Sequence, residues 1–379
     1  MANQVRYGML GGDIHAFIGE VHRKAINFDT RAKLVSGCFS NVQEYNIETA
    51  QAYNVDSKRV YPDYKAFIEN EKNHADRPDF VVITTPNFLH YEMAKALLEA
   101  DFNVVCEKPL CFEVEEAEEL VSLAKAKKLL FAVSYGYTGY TMVKVMKEMV
   151  ENGKIGKIIS VNAEYSQDWL LDDLSPKEGA VLNLSVWRKD PKVAGISNCV
   201  GDIGTHIENL VHYITGLSLK RVTATVNRYD HPLDLNANML VEYDNGANGA
   251  YWCSQVASGH LNDLIVRIYG DQGSLEWVQE HPDFVRFTPK GEAPQMLGRA
   301  NGYITEKAGA YSRIPAGHPE GLYVAFANIY KNYISAVIAQ KEGKDTASFD
   351  FPTVEDGLNG VKFVHAVMES GEKGTWVDL

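Results

Sequence analysis

Positive charge is in short supply in this chain. Its 379 residues hold 37 Lys and Arg against 50 Asp and Glu, a formal net charge of −13. Neutralising a phosphate backbone takes clustered cations, so nucleic acid is excluded as a partner. Cysteine is also scarce: Cys38, Cys106, Cys111, Cys199 and Cys253 form no CxxC pair and no even disulfide framework. Reduced thiols in a cytoplasm are the simplest reading. No apolar run approaches the roughly 20 residues that cross a bilayer. The stretch Met1-Ala2-Asn3-Gln4-Val5-Arg6 moves directly into a strand without a signal-peptide core. The expectation is a cytoplasmic protein with neither membrane nor nucleic-acid partner. Internal repeats and low-complexity tracts are missing as well.

What is present suits a globular protein, with 45% hydrophobic and 23% charged residues. The length exceeds one comfortable core, so two domains are expected. The first third alternates strand and helix. Val5–Leu10 reads as a strand, Gly11-Gly12 turns into a helix ending near Phe28, and Leu34–Phe39 and Val42–Tyr53 repeat the pair. Asp79–Thr84 is nearly continuous in β-branched residues, as a strand covered on both faces requires. Helix Glu92–Ala100, strand Asn103–Cys106, helix Val114–Ala126 and strand Leu129–Val133 follow. Repeated βαβ units predict an α/β Rossmann domain, a doubly wound parallel sheet, over residues 1–133.

From 134 to 379 the pattern changes. After a helix over Met142–Glu151 come strands at Ile158–Tyr165, Arg221–Val226, Met239–Tyr243, Gly249–Val256, Leu264–Tyr269 and Ser274–Trp277. Turn signals such as Asp244-Asn245-Gly246 and Gly270-Asp271-Gln272-Gly273 separate several of them. An α+β domain on a mostly antiparallel sheet is predicted. Pro289–Gly317 reads as a long irregular segment, and helices near Leu322–Gln340 and Val354–Ser370 close the chain.

Two motifs carry chemistry. Cys106-Glu107-Lys108-Pro109-Leu110 follows a buried strand, which places Lys108 on the rim of an α/β sheet, where ligands bind. Gly201-Asp202-Ile203-Gly204-Thr205-His206 opens a helical pattern that puts Asp202 and His206 one turn apart on one face. A lysine, an aspartate and a histidine suit proton transfer to or from an alcohol. The blander readings are a surface lysine, an Asp202 that only caps a helix, and a His206 that satisfies a polar spot. A metal site of Asp202, His206 and His212 has no recognised zinc spacing, so none is expected.

The glycine turn departs from GxGxxG, with Asp13 at the second glycine position and Ala16 at the third. Ala is accepted there, but a carboxylate beside a pyrophosphate is repulsive, so Asp13 must point away or the phosphates must shift. The tip of the second strand offers Ser40 and Asn41, neither acid nor base. The missing arginine favours NAD over NADP without excluding the latter.

With Thr84-Thr85-Pro86-Asn87 after a buried strand, these residues resemble the Gfo/Idh/MocA oxidoreductases along essentially the whole chain. The resemblance implies a Rossmann domain followed by an open-faced antiparallel sheet that many members use for subunit association. It implies NAD(P)-dependent hydride transfer between nicotinamide and a secondary alcohol of a sugar or cyclitol. By it, Lys108 touches the reacting hydroxyl, His206 is the general acid/base and Asp202 a neighbouring carboxylate. Gly11, Gly12, Ile14, Ser40, Asn41, Thr85, Pro86, Asn87, Glu107 and Lys108 would border the cofactor. Asp13 puts the phosphate contacts in doubt. Redox-assisted glycoside cleavage by oxidation and elimination is the alternative within catalysis. A non-catalytic NAD(P)-binding regulator is the alternative outside it.

Candidate substrate contacts are Tyr137, past the last Rossmann strand, Asp168 and Trp169 after the first strand of the second domain, Trp187 and Arg188 before the Asp202 helix, and His318 in the irregular segment. Aromatic faces with polar side chains suit a carbohydrate, although Trp169 and Trp187 equally fit a core and His318 a helix start. Ala250–Ser254 and Leu264–Tyr269 carry apolar residues on both faces, predicting an exposed apolar patch and a homodimer or homotetramer.

Overall fold

The computed structural model describes residues 4–174 and 190–379, and it divides the chain into two compact units. The first comprises Met1–Gly139 with Leu322–Leu358, the second Tyr140–Gly321 with Asn359–Leu379. The chain therefore returns to the first unit late, where the sequence reading kept everything beyond 133 together.

The first unit holds strands β1 (Val5–Gly11), β2 (Ala32–Cys38), β3 (Phe80–Thr84), β4 (Asn103–Cys106) and β5 (Phe131–Val133), all parallel, in the order β2-β1-β3-β4-β5. Helices α1 (Phe17–Asn27), α2 (Gln43–Ala52), α3 (Tyr64–Glu71), α4 (His90–Glu99) and α5 (Val114–Lys127) connect them. The strands β3 and β4 are buried along their whole length, which is why they read as unbroken apolar runs. The sequence reading had no counterpart of α3. The helix Leu322–Lys341 completes this core: Phe326, Tyr330, Tyr333 and Val337 pack with Tyr7, Met9, Val21 and Phe80. Its Tyr333 hydroxyl donates to the carbonyl of Val104 at 3.0 Å.

The second unit opens with α6 (Thr141–Glu151) and β6 (Ile158–Ser166). Strands β7 (Leu219–Asn227), β8 (Asn236–Tyr243), β9 (Asn248–Ser254), β10 (Asp263–Gly270), β11 (Gly273–Val278), β12 (Phe284–Pro289), β13 (Gln295–Gly298) and β14 (Val377–Asp378) follow. They form one nine-stranded sheet, β13-β12-β11-β10-β6-β9-β8-β7-β14, in which only the β6–β9 pair is parallel. The α/β plus mostly antiparallel α+β reading holds. The segment read as irregular between Pro289 and Gly317 contains β13 and a helical turn, Glu306–Gly309.

One face of this sheet is core: Val161, Tyr165, Tyr251, Cys253, Val266, Ile268 and Trp277 are buried. Alternate residues on the same strands behave differently. Leu240 and Tyr269 stand 56% and 39% exposed, but Arg267 pairs with Glu164 and Glu276, and Arg221 with Glu242, among them. The outward face thus exposes the expected apolar residues among charged pairs, a mixed surface.

Candidate active site

In the first unit the turn after β1 is built by glycine. Gly11 and Gly12 have φ of +82° and +76°, and a Cβ on Gly12 would stand 2.6 Å from Met9 Cε. A Cβ on Gly19, one turn into α1, would lie 2.2 Å from Gly12 Cα. Gly19 therefore provides the close approach of helix and turn that the GxGxxG pattern assigns to its third position, and sequence spacing missed it. The Asp13 carboxylate is held within the turn, its Oδ1 accepting the His15 amide at 2.9 Å, while the Ile14 amide donates to Thr49 Oγ1 at 3.1 Å. This glycine-lined turn at a helix start fits a dinucleotide.

Ser40 and Asn41 follow β2, with Asn41 exposed and Ser40 Oγ accepting the Val42 amide at 3.4 Å. Thr85, Pro86 and Asn87 follow β3. Their loop is tied to the Lys108 loop by His90, a buried residue the sequence did not single out. His90 Nε2 lies 2.9 Å from the Thr85 carbonyl and Nδ1 2.7 Å from the Pro109 carbonyl. Burial pulls the His90 pKa down, although both carbonyls and the Glu107 charge favour its charged form.

Lys108 is half-buried just past the end of β4, before a cis peptide to Pro109. Glu107, at the end of the same strand, is buried. Its Oε1 lies 2.7 Å from His22 Nε2 and accepts Ser134 Oγ at 2.5 Å. Its Oε2 accepts the Lys108 amide at 3.3 Å. Burial would raise this carboxyl, but the His22, Lys108 and Ser134 interactions outweigh it and hold the pKa down at about 2. Tyr137 is buried in the turn Gly136–Gly139, which belongs to this unit.

In the second unit Asp202 sits in a π-helical turn, Val200–Gly204, continuous with the helix Thr205–Thr215 that carries His206. Such turns frequently accompany functional sites. The carboxylate capping this start is Asp234, which accepts the Asn198 and Val200 amides at 2.7 and 2.8 Å. Burial raises the Asp234 pKa against those donors. Asn198 Nδ2 donates to Gln255 Oε1 at 2.6 Å, and Gln255 Nε2 donates to Asp202 Oδ2 at 2.9 Å. A buried amide chain thus orients Asp202. His212 instead binds the Leu217 carbonyl at the far end of the helix.

His206 is 8% exposed, its ring 6.1 Å from that of Tyr165. Tyr165 donates to Asn262 Oδ1 at 2.6 Å, Gln167 donates to the same oxygen at 2.8 Å, and Trp169 Nε1 donates to Gln167 Oε1 at 2.9 Å. Gln167, Asn262 and Tyr165 join Trp169 in a polar and aromatic shelf near His206. Asp168 is turned to the Gly259 amide at 3.0 Å. His318 is exposed, its carbonyl accepting the Arg299 guanidinium. Trp187 and Arg188 lie outside the described residues. Among the described residues no helix is long and apolar enough to cross a membrane, and no three His, Cys, Asp or Glu converge as metal ligands.

Residues 5–137 match the oxidoreductase family with an NAD-binding Rossmann fold, and residues 143–276 match the Gfo/Idh/MocA C-terminal domain. An inositol dehydrogenase homologue of Azotobacter vinelandii, crystallised with NAD+, is 35% identical with a TM-score of 0.94 over 100% of this chain and 98% of its own. A second structure of it, 34% identical, contains NADH and myo-inositol. An uncharacterised oxidoreductase of Bacillus subtilis is 32% identical over 100% of this chain and 98% of its own length. A levoglucosan dehydrogenase of Pseudarthrobacter phenanthrenivorans is 28% identical over 80% and 81%. The chain belongs to the Gfo/Idh/MocA family and is an NAD-binding oxidoreductase.

Proposed function

We propose that the protein oxidises a secondary alcohol of a neutral cyclitol or sugar with NAD. The observation that carries this reading is His206 beside a shelf of amide and aromatic side chains, Gln167, Asn262, Tyr165 and Trp169, with Asp202 one helical turn away. Amide and phenol groups match the hydroxyls of a polyol without asking for charge, and the indole offers an apolar face to ring C–H groups. The relatives crystallised with myo-inositol, or named for levoglucosan, have substrates of this kind.

Bound NAD supplies the hydride acceptor, held by the glycine turn after β1, by Ser40 and Asn41, and by the Thr85–Asn87 loop. The protein handles the proton. His206 takes it from the hydroxyl, imidazole being the side chain that most often serves as general base. The Lys108 ammonium stabilises the developing alkoxide. Asp202, fixed by Gln255, orients the imidazole or a second hydroxyl. The balance is one hydride to NAD and one proton to His206, leaving a ketone.

The test is incubation with NAD or NADP and a panel of myo-inositol, levoglucosan and sugar acids, followed at the NADH absorbance. Oxidation of a neutral polyol with NAD preferred supports the reading. Activity confined to anionic sugars, or NADP bound tighter by about tenfold, overturns it.

A further inference from the structure

A fully buried histidine is hydrogen-bonded to Glu107, the residue that precedes Lys108. His22, on α1, has no exposed surface, and both its ring nitrogens are used: Nε2 lies 2.7 Å from Glu107 Oε1 and Nδ1 2.5 Å from the Tyr330 hydroxyl. Phe326 meets the ring edge-on at 5.3 Å. Ser134, beyond β5, adds its hydroxyl to the same carboxylate oxygen. At the end of β4, Glu107 is thus met by α1 through His22 and by the end of β5 through Ser134, and the helix Leu322–Lys341 reaches it through Tyr330 and His22.

Stability does not account for this arrangement. Burying a carboxylate and an imidazole costs several kcal/mol in desolvation, and apolar side chains of similar volume commonly serve a core as well or better. What the network secures is position. With Oε1 clamped by His22 and Ser134, the other oxygen, Oε2, takes the amide of the next residue, Lys108. The carboxylate also places a fixed negative charge beside the Lys108 side chain. Tyr330 fixes the far side of the imidazole, so the ring keeps a donor on Glu107.

We propose that His22 and Tyr330 are positioning residues that, through Glu107, set the placement of the Lys108 ammonium. The proposal rests on the reading that Lys108 serves the reacting hydroxyl, so its test has an arm that needs no substrate. In the ligand-free full chain, acetic anhydride labels lysines competitively, and peptide mass spectrometry compares Lys108 with Lys344, a surface lysine whose side chain is 70% exposed. His22→Phe keeps a ring but removes both polar contacts, Glu107→Gln removes the charge, Tyr330→Phe removes one hydroxyl, and His22→Gln keeps a donor for Glu107.

The expected result is a change of about threefold or more in relative Lys108 labelling for His22→Phe and Glu107→Gln, a smaller one for Tyr330→Phe, and a return towards wild type in His22→Gln. With a turned-over polyol and NAD, kcat falls about 10- to 100-fold in His22→Phe, as expected of a slightly misplaced catalytic group, while NAD affinity stays within about threefold. Should His22→Phe fail to fold, Glu107→Gln and Tyr330→Phe carry the same comparison. Unchanged Lys108 labelling in the folded variants overturns the proposal and makes His22 a core residue. Altered labelling in a protein that oxidises no polyol supports the positioning role and removes the proposed function instead.

Discussion

A carboxylate buried in a protein interior is stabilised by donors around it, as Glu107 and Asp234 illustrate. Glu107 is surrounded by His22, Ser134 and the Lys108 amide; Asp234 by the amides of Asn198 and Val200. The folded Glu107 pKa of about 2 lies below its ordinary value of 4.5. A depressed carboxyl contributes stability that is fully present above its unfolded pKa and lost as pH falls through the folded one. Acid unfolding followed by circular dichroism should therefore show stability declining between pH about 4.5 and about 2, with a flatter profile in Glu107→Gln. Equal slopes would contradict the burial account. For the chemistry, Lys108→Ala and His206→Ala should each lower kcat by about 100-fold or more while NAD affinity by calorimetry changes little. Lys108, Asp202 and His206 stand out in the sequence as candidates because their signals are local, a strand end and a one-turn spacing. His22, Ser134 and Gln255 were not, since their partners lie 85, 27 and 53 residues away and meet only after folding.

At the scale of elements, the approach of α1 to the turn after β1 decides whether a dinucleotide can be held. The sequence showed the turn and its irregular glycines, but not that Gly19 rather than residue 16 makes the contact with Gly12. Helical phase alone does not reveal which small residue faces a turn. Gly19→Ala places a methyl where the backbone of Gly12 already stands. It should lower stability by about 1–3 kcal/mol and weaken NAD binding. Thermal unfolding with and without NAD measures both, and an unchanged variant would show that the turn is free to move. The central strands β3 and β4 were readable because each is buried along its whole length. By contrast β13 is half exposed and only four residues long, so the pattern of Pro289–Gly317 hid it.

At the scale of the whole molecule, the order of a parallel and then a mostly antiparallel sheet follows from where helices alternate with strands and where they stop. The late return of Leu322–Leu358 to the first unit left no mark in composition, because a helix that joins a distant core looks like any other apolar helix. The outward face of the nine-stranded sheet, with Leu240 and Tyr269 among arginine–glutamate pairs, suits a second copy of the chain. Light scattering at micromolar concentration should give a homodimer or homotetramer, and a monomer would contradict that assembly.

The central claim is that this protein moves a hydride from the carbon of a polyol to NAD. The direct measurement uses a polyol from the panel carrying deuterium on its hydroxyl-bearing carbons, with mass spectrometry of the NADH formed. The account requires NADH one mass unit heavier than that from the ordinary polyol. NADH without deuterium, or no NADH from any neutral cyclitol or sugar, would contradict it.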